Sequence, residues 1–186
     1  MPTGDRRADD TLELLTQYRG SGESEAAHLR EMKQLLADTA APFARDQFDP
    51  GHFTASALVV APSAHQVLLI AHPTLGVWLQ PGGHIEPDDV SPVEAARREV
   101  LEETGLDARI APRLFDVDVH DIPARKTDPR HRHFDLRFLA VIDAAHQPSG
   151  VEGLEARWLS HDDAARLTTD DSVRRMLARA RNDGLL

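Results

Sequence analysis

The segment between Ser91 and Gly105 carries signals for both ends of a helix, which constrains the fold more than any other part of the chain. Ser91 suits the N-cap, Pro92 suits the first helical position, and Glu94 three residues after the cap completes a capping box. Gly105 suits the left-handed residue that ends a helix. The sequence therefore predicts one well-bounded helix between these two ends.

One face of this predicted helix is strongly acidic. Glu99, Glu102 and Glu103 lie at i, i+3 and i+4, so their side chains share a face. Each like-charge pair at this spacing costs roughly 0.2–0.5 kcal/mol, so helix propensity does not explain the cluster. A bound divalent cation would turn the repulsion into ligation, whereas the alternative is an ordinary solvated surface. Arg98 precedes Glu102 by one turn and is predicted to orient it through a charge-assisted contact that can be bidentate.

Two neighbouring features favour a built site over a solvated surface. The opposite side of the helix is apolar and is predicted to face a core. The apolar residues on that side are Val93, Ala96, Val100 and Leu101. Upstream, residues 78–86 read as a short apolar strand that runs into a turn at Gly82 and Gly83. Glycines there would let the backbone approach a ligand or metal closely.

Residues 98–106 match the second half of the Nudix box, Arg-Glu-aliphatic-any-Glu-Glu-any-Gly-aliphatic, at every position that this pattern specifies. The first half differs. Counted from Gly83, the upstream acid of the box falls on Asp89, and eight residues instead of seven separate it from Arg98. An aspartate replaces the glutamate, and either Asp88 or Asp89 can take this position. The chain therefore resembles the Nudix hydrolase family, with an altered turn before the helix.

This resemblance implies a metal site and a fold. Glu99, Glu102 and Glu103 would bind Mg²⁺ or Mn²⁺, and the carbonyl oxygen of Gly83 would be a further ligand. Mg²⁺ suits such a site because it takes few carboxylates, keeps waters and accepts phosphate oxygens. The implied fold is of the α+β class, a Nudix-type α/β/α sandwich with a mixed sheet. We expect an N-terminal helical extension in addition.

The implied reaction is hydrolysis of a diphosphate bond in a nucleoside diphosphate that is joined to another group. Its catalytic residues would be Glu99, Arg98 and Glu102, and the metal would orient water and offset charge on the diphosphate. Candidates for the general base are Glu99, Glu152 and Glu155. The alternative function is a module that binds nucleotide without hydrolysing it, although such a sensor has no need for an acidic trio. The absence of cysteine argues against an isoprenoid diphosphate isomerase of the same fold.

The chain is predicted to consist of a helical extension over residues 1–50 and a Nudix hydrolase domain over residues 51–186. In the extension, Asp10 and Glu13 form a capping box before a first helix, and a break at residues 20–22 precedes a second helix. The apolar residues of the two helices are Leu12, Leu15, Tyr18, Leu29, Met32, Leu35 and Leu36. They must pack on the main domain or on a partner subunit, so a homodimer is one option.

The main domain is predicted to alternate strands and helices. Strands are expected at residues 56–60, 66–71, 114–120, 134–142 and 156–159, and short helices at residues 162–167 and 172–181. Trp78 and Trp158 are expected to be aromatic residues of the core or of a pocket wall.

Two of these strands carry polar residues on one face. The residues are Asp116, Asp118 and His120 on the first strand, and His131, His133 and Asp135 on the second. An antiparallel hairpin would pair them as His120 with His131, Asp118 with His133, and Asp116 with Asp135. The alternatives are a hydrated face, a wall that contacts the substrate, and a metal site of two histidines and one carboxylate. Candidate substrate contacts are His120, His131, His133, Asp135 and, from a later loop, Glu155. The loop at residues 121–130 is basic and would clamp an anion or be solvated.

Composition limits the partners that are expected. With 186 residues, of which 41% are apolar, the chain can bury the core of one domain. A net charge of −10 opposes broad attraction to DNA or RNA, so we expect a small-molecule nucleotide or another diphosphate as the partner. The sequence has no apolar run of the length of a membrane span, no signal-peptide pattern and no cysteine. We therefore expect a soluble cytoplasmic protein without disulfides.

Overall fold

A seven-stranded mixed sheet forms the centre of the molecule in the computed structural model, which describes residues 5–20, 22–72, 76–143, 146–149, 154–167 and 170–186. The strands are β1 (Gly51–Ala61), β2 (Gln66–Ala71), β3 (Trp78–Leu79), β4 (Gly82–His84), β5 (Arg109–Ile122), β6 (His131–Val141) and β7 (Ala156–Ser160). The helices are α1 (Arg6–Gln17), α2 (Glu23–Asp38), α3 (Pro92–Thr104), α4 (His161–Arg166) and α5 (Asp171–Asn182). The sheet order is β3-β2-β1-β6-β5, while β4 pairs with β1 and β7 pairs with β2.

Helices cover both faces of this sheet. Strand β1 is buried along its whole length, as expected for a central strand between two helical layers. Its pairing with β6 is parallel, whereas its pairings with β2 and β4 are antiparallel. Helices α1, α2 and α3 contribute to the core on one face, and α4 and α5 contribute to the core on the other. The predicted α/β/α sandwich with a mixed sheet is confirmed. In the described part of the chain, no helix is both long and apolar enough to cross a membrane.

The two N-terminal helices pack on the sheet of their own chain. Leu15 is fully buried in the core cluster to which α3 also contributes. Of the two alternatives, the apolar side of these helices therefore packs on the main domain of the same chain. The predicted helix start at Asp10 is wrong. The Asp5 carboxylate accepts a hydrogen bond from the Arg7 N–H at 2.9 Å, so it caps the helix five residues earlier. Leu12, expected among the apolar contacts, is exposed.

Helix α3 begins and ends as predicted. The Ser91 hydroxyl oxygen accepts a hydrogen bond from the Glu94 N–H at 3.3 Å, and Gly105 has a φ of 70°. The expected core position of Leu101 is wrong, because this side chain is 44% exposed. Val100 is fully buried, and one helical step of about 100° from it carries Leu101 away from the core.

Strands β5 and β6 form the predicted antiparallel pair, but the predicted register is wrong by two residues. His120 lies opposite His133, and Asp118 lies opposite Asp135. Both strands extend further toward the connecting loop than predicted, which shortens that loop. Because strand side chains alternate with a period of two, a shift of two residues keeps every side chain on its predicted face. The polar face therefore forms as predicted, while the pairs across it differ.

Candidate active site

Strand β4 brings the backbone of two glycines against α3. A Cβ added at Gly83 would lie 2.7 Å from Oε1 and 2.8 Å from Oε2 of Glu99. One added at Gly82 would lie 2.2 Å from the Cβ of Ser56. The requirement for glycine is therefore steric, and it comes from Glu99 and Ser56, whereas close approach to a ligand or metal stays a prediction. The predicted turn is wrong, however, because both glycines lie in a strand that pairs with β1. The Gly82 N–H also donates to the Glu103 carboxylate at 2.9 Å, so β4 contacts two of the three glutamates.

Arg98 connects the acidic residues of this region. Its Nε and Nη2 donate to the two carboxylate oxygens of Asp89 at 3.1 and 2.9 Å. Its Nη1 donates to Glu99 and to Glu102, both at 2.9 Å, and its Nη2 also donates to the carbonyl oxygen of His84 at 2.8 Å. The predicted contact with Glu102 is present, but the bidentate partner is Asp89. Hydrogen bonding to Asp89 raises the pKa of the Arg98 guanidinium against the opposing effect of burial.

Of the two aspartates in the loop before α3, Asp89 contacts Arg98. Asp89 is buried, whereas Asp88 is exposed. One carboxylate oxygen of Asp89 also accepts a hydrogen bond from the Glu86 N–H at 2.8 Å, and this contact within the loop stabilises its conformation. The longer loop therefore still delivers a carboxylate to Arg98, even though the acid has a shorter side chain.

The helix carboxylates differ in their surroundings. The Glu99 side chain is 13% exposed, and that of Glu102 is 48% exposed. Burial raises the pKa of Glu99, although the adjacent charge of Arg98 opposes the shift. Among the described residues, a group of histidines brings three potential metal-binding atoms within 4.8 Å of one another, whereas this glutamate trio does not. The carboxylates instead bind Arg98 and β4. Their oxygens, with the Gly83 backbone packed against Glu99, suit a hard divalent cation such as Mg²⁺.

A cavity of about 380 Å³ lies between the N-terminal extension and the loop before α3. Its lining includes Arg7, Phe43, Arg45, His84 and Glu86. The Arg7 guanidinium donates to the Glu86 carbonyl oxygen at 3.0 Å and lies 5.0 Å from the centroid of the Phe43 ring. The extension thus forms one wall of a space that borders the end of β4.

A group of histidines lies beside β4. His131 and His133 approach each other with their Nε2 atoms 3.3 Å apart, and the His120 ring lies 5.6 Å from that of His133. His52 and His84 join this group, although no sequence pattern singled them out. His52 comes from β1, so only the non-local pairing of β1 with β6 reveals it. Burial, followed by the nearby His52, lowers the pKa of His133 to about 2. Contact of substrate with His120, His131 or His133 stays a prediction.

Asp135, predicted to contact the substrate, lies in a buried ion network. Its carboxylate accepts hydrogen bonds from Arg137 at 2.8 Å, from Ser56 at 2.8 Å and from Thr54 at 3.1 Å. Arg137 is 2% exposed and also donates to two further aspartates. These are Asp116 at 3.3 Å and Asp118 at 3.2 Å. Sequence reasoning missed Arg137, although its position two residues after Asp135 places it on the same strand face.

The later candidates for a general base lie elsewhere. Glu155 is exposed and accepts a hydrogen bond from Arg157 Nε at 2.7 Å. The Arg157 guanidinium in turn lies 5.1 Å from the Trp78 ring centroid. Glu152 lies outside the described residues. In the basic loop, Arg130 binds the exposed Asp121 at 2.7 Å.

The NUDIX domain family model matches residues 51–180 of the chain. A probable DHNTP pyrophosphohydrolase of Lactococcus lactis subsp. cremoris is 38% identical over 92 residues, which are 48% of this chain and 54% of that protein. A putative 8-oxo-dGTP diphosphatase of Bacillus subtilis is 30% identical over 103 residues, which are 55% of this chain and 63% of that protein. The chain therefore spans only about half to two-thirds of the length of these relatives. The solved MutT NUDIX hydrolase from Burkholderia pseudomallei is 27% identical with a TM-score of 0.52, and the match covers 68% of this chain and 95% of that chain.

Proposed function

The chain belongs to the Nudix family, and from this premise we propose that it is a Mg²⁺-dependent hydrolase that cleaves a diphosphate bond in a nucleoside diphosphate derivative. The observation that carries the proposal is the arrangement of Arg98. Its Nη1 binds Glu99 and Glu102, while its Nε and Nη2 bind Asp89. An arginine held in this way keeps two carboxylates oriented, which is what a metal-binding face requires.

In this proposal Glu99, Glu102 and Glu103 hold Mg²⁺ or Mn²⁺ together with the Gly83 carbonyl oxygen. When bound, the metal supplies Lewis-acid stabilisation of the charge that develops on the diphosphate. Arg98 orients Glu102 and does not act as a ligand. The absence of a Cβ at Gly83 is essential, because the Glu99 carboxylate fills that space.

We assign Glu99 the role of general base. Its side chain is 13% exposed and packs against the Gly83 backbone within the proposed metal site, where it can accept a proton from water. Glu155 is a weaker candidate, because it is exposed and bound to Arg157. Retention of the acidic trio favours this enzyme over a nucleotide sensor that does not hydrolyse its ligand.

The relatives named for DHNTP and for 8-oxo-dGTP suggest where to begin a search for the substrate. In the presence of Mg²⁺, we expect the purified protein to release a phosphate-containing product from at least one member of a panel. The panel comprises nucleoside triphosphates including 8-oxo-dGTP, sugar nucleotides, ADP-ribose and dinucleoside polyphosphates. Chelation with EDTA should stop the reaction, and added Mg²⁺ or Mn²⁺ should restore it. Nucleotide binding without turnover across the panel would contradict the enzyme and identify the sensor.

Replacement of Arg98 by alanine should lower activity or metal affinity by about 10–100-fold, because Glu99 and Glu102 lose the cation that orients them. The loss should be largest at subsaturating Mg²⁺ and should shrink as Mg²⁺ is raised. The measurement is kcat/KM across a Mg²⁺ titration. Arg97→Ala is the matched control, because Arg97 directly precedes Arg98 in α3 and binds the exposed Asp107. Equal Mg²⁺ dependence in the wild type and in Arg98→Ala would show that Arg98 does not position the ligands.

A further inference from the structure

Three histidine rings gather where β1 and β6 begin. The parallel pairing places His52 beside His133, and His131 lies two residues before His133 on the same face of β6. The three ring centroids are 4.9 to 5.2 Å apart. One ring nitrogen from each histidine lies within 4.8 Å of the other two. This arrangement exists only because two strands distant in sequence pair in parallel.

Backbone carbonyls determine which ring nitrogen of two of these histidines carries the proton. His52 Nδ1 lies 3.1 Å from the Gln47 carbonyl oxygen, and His131 Nδ1 lies 2.8 Å from the Pro129 carbonyl oxygen. A carbonyl oxygen can only accept, so both Nδ1 atoms donate. In the neutral ring, Nε2 then holds the lone pair. Histidines that bind metals through Nε2 commonly donate Nδ1–H to a carbonyl in this way.

The Nε2 atom of His52 is an unsatisfied acceptor in the interior. His52 is 1% exposed, and the described residues provide no hydrogen-bond partner for this atom. Buried polar atoms without a partner are rare in folded proteins and call for an explanation. The Nε2 atoms of His131 and His133 lie 3.3 Å from each other.

We propose that His52, His131 and His133 bind a transition-metal ion of the zinc class through their Nε2 atoms. Three imidazole nitrogens without a carboxylate suit Zn²⁺, Co²⁺, Ni²⁺ or Cu²⁺. Mg²⁺ prefers oxygen ligands, so this group and the glutamates of α3 select different metals. This site is therefore independent of the proposed hydrolase site, although His84 of β4 lies beside both.

The spacing of the His131 and His133 nitrogens fits tetrahedral coordination. With Zn–N bonds of about 2.0–2.1 Å, two nitrogens of a tetrahedral site lie about 3.3 Å apart. The His131 and His133 Nε2 atoms are 3.3 Å apart. Metal binding would draw His52 into the same spacing and leave a fourth position for water. Through Gln47 and Pro129, the site would also join the segment before β1 to the loop before β6.

The test uses untagged, chelator-treated protein that is titrated with Zn²⁺ and with Co²⁺. We expect one equivalent of zinc per chain, measured by elemental analysis after gel filtration, and the intense visible absorption of tetrahedral cobalt. Excess Mg²⁺ should not displace either metal. At a free zinc concentration of about 100 times Kd, the melting temperature should rise by about 5–10 °C.

The variants make the result specific. His131→Gln and His133→Gln should each lose the zinc equivalent and the cobalt spectrum, and His52→Gln provides a third probe if one variant does not fold. Circular dichroism of the metal-free proteins checks the fold. His146→Gln, which changes an exposed histidine, and Glu102→Gln, which disables the proposed hydrolase site, should both retain the metal.

Two results would overturn the proposal. In the first, the wild type binds no stoichiometric zinc and shows no tetrahedral cobalt spectrum, which would leave His131 and His133 as a hydrogen-bonded pair. In the second, metal binding persists in folded His131→Gln and His133→Gln. Failure of the hydrolase assay would not change this test, because zinc stoichiometry and the cobalt spectrum do not depend on turnover.

Discussion

The Glu102→Gln variant is expected to lose about 1,000-fold in kcat/KM, equivalent to roughly 4 kcal/mol of transition-state stabilisation. The amide keeps the size and shape of the side chain but removes the negative charge that a divalent cation needs. Glu102 is half-exposed and binds Arg98, which is itself partly exposed, so the fold should not depend on Glu102. The measurement is steady-state hydrolysis of the best substrate of the panel at saturating Mg²⁺.

Glu94→Gln is the matched control for this prediction. Glu94 lies on the same helix with a similar exposure, and its charged partner is Arg97 at 3.8 Å. Its replacement should leave kcat/KM within about twofold of the wild type, because surface ion pairs contribute little. Equal activities of wild type and Glu102→Gln would refute the assignment of the acidic face. A loss in Glu94→Gln of the same size would attribute the effect to the helix charge in general.

The second large effect concerns stability. Replacement of Arg137 by methionine should lower the free energy of unfolding by about 3–5 kcal/mol, because a buried charge network loses its central cation. Asp116, Asp118 and Asp135 are all at most 6% exposed and all bind this guanidinium. For a domain of this size, the loss corresponds to a fall in melting temperature of about 6–20 °C. Thermal and chemical unfolding measure it.

Arg130→Met is the control with the same substitution at the surface. Arg130 and Asp121 form a pair at 2.7 Å with side chains that are 71% and 57% exposed. Its loss should cost about 0–1 kcal/mol. Equal stability changes in the two variants would mean that burial of the Arg137 network does not determine its contribution.

Local signals predicted helix α3 well. Ser91 and Gly105 act on groups within four residues of themselves, so capping can be read from a short window of sequence. The same approach placed the start of α1 at Asp10, because it overlooked that Asp5 caps the helix instead. The prediction that Leu101 faces the core was wrong for a similar reason. A periodic pattern gives the direction of a side chain around the helix axis only to within about one residue.

The pairs across β5 and β6 could not be predicted from alternation. Alternation indicates which face a side chain occupies, and this was right for His120 and His133. Register depends on where the loop begins and ends, so the predicted partner of His120 was wrong by two residues. The strand that contains Gly82 and Gly83 was also mistaken for a turn, because its partner β1 lies more than twenty residues earlier.

Sequence alone was enough to predict the helix that ends at Gly105, the acidic face with Glu99 and Glu102, and the resemblance to the Nudix box. These features depend on residues within a few turns of one another, where spacing sets geometry. The folded structure was needed to show that Asp89 binds Arg98 and that His52 lies beside the histidines of β6. Loop path and strand pairing account for this difference, because they bring together residues whose separation along the chain carries no periodic signal.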